Sequence, residues 1–96
     1  MSEAEFLAFV DRIEKGSDRI SRLGAGIIAA LQLGIASDSR SFARLLGVAH
    51  ALVLREVSIL GQDEGFIIIE RRETRTQRVH YSLSPNGVKL FDNFGF

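Results

Sequence analysis

A single glycine between two short, one-sided apolar segments does most to limit what this chain can become. The stretch from Asp38 to Leu60 reads DSRSFARLLGVAHALVLREVSIL. Its first half, Asp38 to Leu46, has the pattern of a short helix. Asp38 suits the capping position, where a carboxylate accepts a backbone N–H of the first turn. Phe42, Leu45 and Leu46 give that helix one apolar side. Gly47 falls where the helix must stop and the chain must turn sharply. Glycine enters the left-handed region there without a steric cost. Val48 returns to the core, and a second helix runs to Leu60, with Val53, Val57 and Leu60 on one side at helical spacing. Ala43 is small enough for that second helix to cross closely, with Val53 filling the contact. Two short helices about a tight glycine turn make a helix-turn-helix unit.

The flanking segments have readable patterns too. Phe66 to Arg72 and Arg78 to Ser84 read as strands, joined by the polar Glu73–Gln77. Val79, Tyr81 and Leu83 alternate with Arg78, His80 and Ser82, so the first set faces the core. Ser84 and Pro85 open a last helix as cap and first-turn residue, docked by Val88, Leu90, Phe91 and Phe94. At the other end, Ser2 caps a first helix with Glu3 and Glu5 in its first turn. Phe6, Phe9, Val10 and Ile13 form its apolar stripe. A second helix is expected from Asp18 to Gly34, broadly apolar through Ile20, Leu23, Ile27, Ile28 and Leu31, and therefore central. Gly24 and Gly26 inside it cost about 1 kcal/mol each relative to alanine, which implies close approach of a neighbouring helix. The same glycines form GAGIIA, a match to the dinucleotide-binding pattern. That reading needs a strand immediately before it, and DRISRL has a helical pattern instead. Ile35–Ser37 is expected to form a short strand beside the hairpin.

These segments fit one domain of 96 residues. Residues 1–36 carry the leading helices and the short strand, 38–60 the helix-turn-helix, 66–84 the hairpin and 85–94 the closing helix. There is no cysteine, which excludes disulfides and thiolate ligands. The two histidines, His50 and His80, lack a third ligand, so no metal and no cofactor are expected. No nucleophile–base pair or carboxylate cluster suggests an enzyme. The longest uncharged run, Leu23 to Ser37, is too short to span a bilayer, and the first residues lack the pattern of a signal peptide. A cytoplasmic location follows as an expectation. The formal net charge is zero, so a case for nucleic acid must rest on where the charges lie.

The order SFARLLGV, IERRE and YSLSPNGVKLF resembles the multiple-antibiotic-resistance regulator (MarR) type of winged-helix protein, over about Ser37 to Asp92. The resemblance implies an α+β winged helix with two leading helices and a C-terminal helix. It also implies a homodimeric transcriptional regulator that binds double-stranded DNA. The second helix of the motif would then be the recognition helix. Helical spacing turns Ala51, Leu52, Arg55, Ser58 and Ile59 outward, with His50 near its start. The hairpin would be the wing, offering Arg72, Arg75 and Arg78, while Arg44 would reach phosphate. Two departures from the family stand out. It usually carries Asp-x-Arg in the wing, where this chain has Glu73-Thr74-Arg75, and it often places serine and threonine near Ala49, Ala51 and Leu52. The apolar outward face leaves a second reading open, a winged-helix module that meets a partner protein through Leu52 and Ile59.

Overall fold

Local capping sets the helix boundaries. The computed structural model describes residues 2–92. Helix α1, Glu3–Gly16, begins at Ser2, whose Oγ accepts the Glu5 N–H at 3.1 Å. Helix α2 spans Arg22–Gln32, later at its start and shorter at its end than the apolar pattern suggests. The reason is Ser21, whose Oγ accepts the Gly24 N–H at 3.0 Å and so fixes the first turn. Residues 17–20 form a turn closed by Ser17, and the buried Ile20 precedes the helix. From Gly24 to Ala30 every residue of α2 is buried, which makes it the central helix. Its glycines lie where neighbours press in. A Cβ at Gly24 would lie 3.4 Å from Leu60 Cδ2, and one at Gly26 would lie 3.3 Å from the Phe42 ring.

The segment after α2 is not a strand. The N–H groups of Ile35 and Ala36 both return to the Ala30 carbonyl, at 2.8 and 3.3 Å, and hold the chain against the helix end. Pairing with the hairpin is reduced to one bridge between Asp38 and His80, plus the Tyr81 N–H bonded to the Ser37 carbonyl at 3.2 Å.

Helix α3, Ser39–Leu46, and helix α4, His50–Leu60, follow. Asp38 caps α3, and Gly47 ends it at φ 65° and ψ 33°. The face of α3 that packs is Ser39, Phe42 and Ala43. Leu45 and Leu46, expected in the core, are exposed instead. They border an open groove with Phe6, Leu7 and Ile35, because no other element among the described residues covers the last turn of α3. Strands β1, Ile67–Arg72, and β2, Val79–Leu83, pair antiparallel. Ile67 lies opposite Leu83 and Ile69 opposite Tyr81; a bulge then shifts the register, so that Arg71 lies opposite His80. The bulge moves Arg71 onto the outer side of the hairpin with His80. Helix α5, Pro85–Asp92, buries Gly87 and Phe91, and this pair turns Val88 outward. Phe94 and the rest of the aromatic end lie outside the described residues.

The described residues thus form an α+β fold of five helices and one two-stranded hairpin. Phe42, Ile13, Ile27, Ile28, Val53 and Val57 fill its centre. No helix among the described residues is long and apolar enough to cross a membrane.

A Cβ added at Gly47 would meet nothing within 4 Å, so a substitution there tests backbone strain alone. Gly47→Val is expected to lower stability by about 1–3 kcal/mol, the scale of a residue forced into the left-handed region. Chemical denaturation of the two proteins checks this, and equal midpoints would show that the turn carries no strain.

Candidate nucleic-acid interface

Helix α4 divides cleanly into two sides. Val53, Val57 and Leu60 are buried, whereas Ala51, Leu52, Arg55, Ser58 and Ile59 are exposed and Leu54 is half-buried between them. The 3.6-residue period accounts for the division. Glu56 departs from the outward set. Its Oε2 lies 3.4 Å from the position of a Cβ on Gly24, in the first turn of α2. That turn has no acidic residue of its own, and a carboxylate there meets the positive end of the helix dipole.

His50, at the start of α4, is half-buried, and its Nε2 lies 2.8 Å from Ser39 Oγ. The same oxygen accepts the Val79 N–H at 2.9 Å. Its hydroxyl proton is therefore free to donate to a neutral imidazole. Burial, and then the charges of Arg40 and Arg78, push the His50 pKa below the ordinary histidine value, which suits that arrangement. Ser39 thus joins α3, α4 and β2 at one atom.

The neighbouring residues extend this junction. Asp38 Oδ1 accepts the Ser41 N–H at 2.9 Å and a bond from Arg78 Nη1 at 2.8 Å, and Oδ2 accepts the Ser41 hydroxyl at 2.7 Å. Burial pushes the Asp38 carboxyl up, but the Ser41 bonds and the Arg78 charge outweigh it and hold the carboxyl below its usual value. Arg78 is thereby committed to the base of the hairpin. Arg40 donates from Nε and Nη2 to the Thr76 carbonyl, at 3.1 and 2.7 Å, and fastens the hairpin turn to α3. Nothing in the sequence pattern singles out Arg40, because its partner lies 36 residues away.

The hairpin tip is internally tied. Glu73 N–H donates to the Arg78 carbonyl at 2.9 Å, and the Thr76 hydroxyl donates to Glu73 Oε1 at 3.2 Å. Glu73 Oε2 lies 2.6 Å from His80 Nε2 and 3.4 Å from Arg71 Nη2. The bond with His80, opposed by burial and assisted by Thr76, holds the Glu73 carboxyl below its usual value. His80 is thus a half-buried, bonded residue rather than a plainly outward one. Glu70 accepts the Ser82 hydroxyl at 2.6 Å.

Arg72 and Arg75 are exposed, with no hydrogen-bond or ion-pair partner among the described residues. The same holds for Arg55 on α4 and Arg44 on α3. Arg44 also lines an open cavity of about 280 Å³ with Arg40, Gly47, Val48 and His50. Helix α4 starts there with Ala49 in the capping position and no side-chain cap bond, leaving its first N–H groups open to an acceptor. Of the residues expected at the site, Ala51, Leu52, Arg55, Ser58, Arg44, Arg72 and Arg75 are therefore exposed, while His50 and Arg78 serve the internal junction. Among the described residues no cluster of three His, Cys, Asp or Glu side chains is placed to hold a metal. Comparison with protein-family models, with curated proteins and with solved structures finds no match.

Ser39→Ala removes the acceptor of a buried strand N–H and the partner of His50. A loss of about 1–3 kcal/mol is expected, the cost of leaving one buried polar group unpaired. Denaturation of the variant measures the effect, and an unchanged stability would show that the Ser39 bond is dispensable.

Proposed function

We propose that this chain is a DNA-binding transcriptional regulator of the winged-helix type, resembling the MarR type and acting as a homodimer in the cytoplasm. Its ligand is double-stranded DNA, and neither catalysis nor a cofactor enters the reading. One observation carries it. Across α3, α4 and the hairpin, Asp38 is paired with Arg78, Glu70 is bonded to Ser82 and Glu73 to His80, and Glu56 is half-buried on the side of α4 near the start of α2. The exposed charges of these elements without a hydrogen-bond or ion-pair partner among the described residues are the arginines Arg44, Arg55, Arg72 and Arg75. Asp63 and Glu64 lie beyond α4, in the connection to the hairpin. The neutral chain thus offers local positive charge to a polyanion.

In this reading α4 is the recognition helix of a helix-turn-helix. Arg55 and Ser58 face base edges, and Ala51 and Leu52 face thymine methyl groups. The uncapped start of α4 and Arg44 meet a backbone phosphate, as helix N-termini and arginines do. The hairpin is the wing, with Arg75 entering a narrow minor groove and Arg72 beside it. His50 and Arg78 act through position, by fixing α4 and the wing to α3. The exposed Leu52 and Ile59 favour a second reading, a module that meets a partner protein through this face. For the dimer, support comes from exposed Leu7, Ile35, Leu45 and Leu46 around a groove of about 640 Å³.

Arg75→Ala is expected to weaken binding. Loss of a phosphate contact would affect all sequences alike and reduce the salt slope by about 1, whereas loss of a groove contact would affect A·T-rich sites most. Arg55→Ala is expected to relax sequence preference instead. Salt titrations of the parent and both variants on mixed-sequence and A·T-rich duplexes distinguish these effects. A parent without salt-dependent binding at low ionic strength would sink the reading and favour a protein partner.

The dimer has its own test. Leu7→Glu places a charge in the apolar groove, and sedimentation at micromolar concentration should then show a monomer where the parent is a dimer. A parent that sediments as a monomer refutes the dimer, and a dimeric variant removes the groove from the interface.

A further inference from the structure

The hairpin is held to α3 at two levels, its base and its tip. At the base, Asp38 takes Arg78 at 2.8 Å and Ser39 takes the Val79 N–H at 2.9 Å. The tip lies beyond these bonds, in the turn of residues 73–77. Among the described residues, the hydrogen bonds that reach this turn from outside the hairpin come from Arg40. Its Nε and Nη2 donate to the same oxygen, the Thr76 carbonyl, at 3.1 and 2.7 Å. Two donors on one edge of a planar guanidinium fix direction as well as distance, which a single flexible ammonium could not do.

The group that Arg40 grips is the one the turn leaves open. The Thr76 hydroxyl donates to Glu73 Oε1 at 3.2 Å and accepts the Arg78 N–H at 3.1 Å, so this side chain is used inside the turn. The carbonyl is left for an outside donor. It belongs to the peptide group that joins Thr76 to Gln77, and Gln77 sits in the left-handed region at φ 61°. A non-glycine residue keeps that conformation where surrounding bonds fix it. Arg75 directly precedes the gripped residue, exposed and with no bonded partner among the described residues. Arg40 also borders the open cavity at the start of α4, with Arg44 and His50. Its side chain thus stands between the start of α4 and the tip of the hairpin.

We propose that Arg40 is a positioning residue: by fastening the Thr76 carbonyl it sets where the hairpin tip, and Arg75 on it, stands relative to α4. What Arg75 then meets rests on the DNA-binding reading above. On that reading, recognition of groove shape needs the arginine at a set distance from the recognition helix, and Arg40 supplies that distance without touching DNA. An arginine bonded to phosphate directly would behave differently. Its loss would add to the loss of Arg75, because separate contacts contribute separately.

Two measurements on the full chain separate the fastening from its use. The first needs no DNA. Backbone amide order parameters of residues 74–77 should lie near the rigid value of about 0.85 in the parent and fall below about 0.6 in Arg40→Ala, while those of α3 and α4 stay unchanged. Arg40 is exposed, so the variant is expected to fold. A tip that is mobile in the parent, or equally ordered in the variant, overturns the positioning role. The second measurement is a double-mutant cycle on mixed-sequence and A·T-rich duplexes at constant salt. Arg40→Ala should reproduce the loss seen in Arg75→Ala on the same duplexes, and the double variant should bind no more weakly than Arg75→Ala alone. A loss that persists undiminished in the Arg75→Ala background overturns action through Arg75 and makes Arg40 a direct phosphate contact. An Arg40→Ala variant that binds as the parent does overturns it as well. A parent that binds neither duplex counts against the DNA-binding reading alone, because the first measurement decides the fastening.

Discussion

The buried hydroxyl of Ser39 is the atom on which the arrangement of α3, α4 and the hairpin turns. It accepts the Val79 N–H and meets His50 Nε2, and the residue is fully buried. A two-stranded hairpin is marginal on its own. Among the described residues this one gains no third strand, since residues 35 and 36 are tied to the end of α2. The cap of α3 and its first two residues supply the missing restraint. Asp38 holds Arg78, Ser39 holds Val79, and Arg40 holds the turn at Thr76. Each bond adds modestly when made, but the buried groups are costly to leave unmade, so the junction specifies one placement of the hairpin.

The same junction explains how a chain of zero net charge can present one sign of charge. Opposite charges cancel on paper wherever they sit. In space, Asp38 is paired with Arg78 and buried, and Glu56 is half-buried on the side of α4 near the first turn of α2. Arg44 and Arg55 are exposed on α3 and α4, with no hydrogen-bond or ion-pair partner among the described residues. Net charge therefore says little about this surface, and the partnering of each acid decides its sign.

Much of the fold was legible because it depends on local rules. The Asp38 cap, the left-handed Gly47 and the two sides of α4 all follow from spacing within one or two turns. The errors arose where two local signals competed or where a distant partner decided. Asp18 and Ser21 are both capping types, and only the bond to Gly24 shows that Ser21 prevails. Leu45 and Leu46 have core chemistry but lie on a turn that no other element among the described residues covers. Alternation placed Val79 and Tyr81 in the core, yet it could not reveal that Arg78 is claimed by Asp38. Nor could it show the bulge that sets Arg71 beside His80. For the candidate site, exposure was readable from periodicity, whereas the engagement of each charged group was not. For Arg40 and Arg78, engagement depends on contacts across 36 to 40 residues of sequence.

On the proposed DNA-binding reading, the composition of α4 bears on how the chain would discriminate between sequences. Its outward face offers Arg55 and Ser58 as hydrogen-bonding groups, among Ala51, Leu52 and Ile59. Few bases can be read directly by such a face, since base-edge discrimination relies on paired donors and acceptors. The remaining source of selectivity is DNA shape, read by an arginine in a narrow groove at a set distance from the recognition helix. Such a reader needs the separation between α4 and the hairpin tip to be fixed. A flexible connection would let Arg75 find a groove of any width. The bonds from α3 supply that constraint, since Ser39 joins His50 at the start of α4 to Val79, and Arg40 holds the turn beside Arg75. On the DNA-binding reading, the polar junction behind the surface would set selectivity as much as the side chains on it.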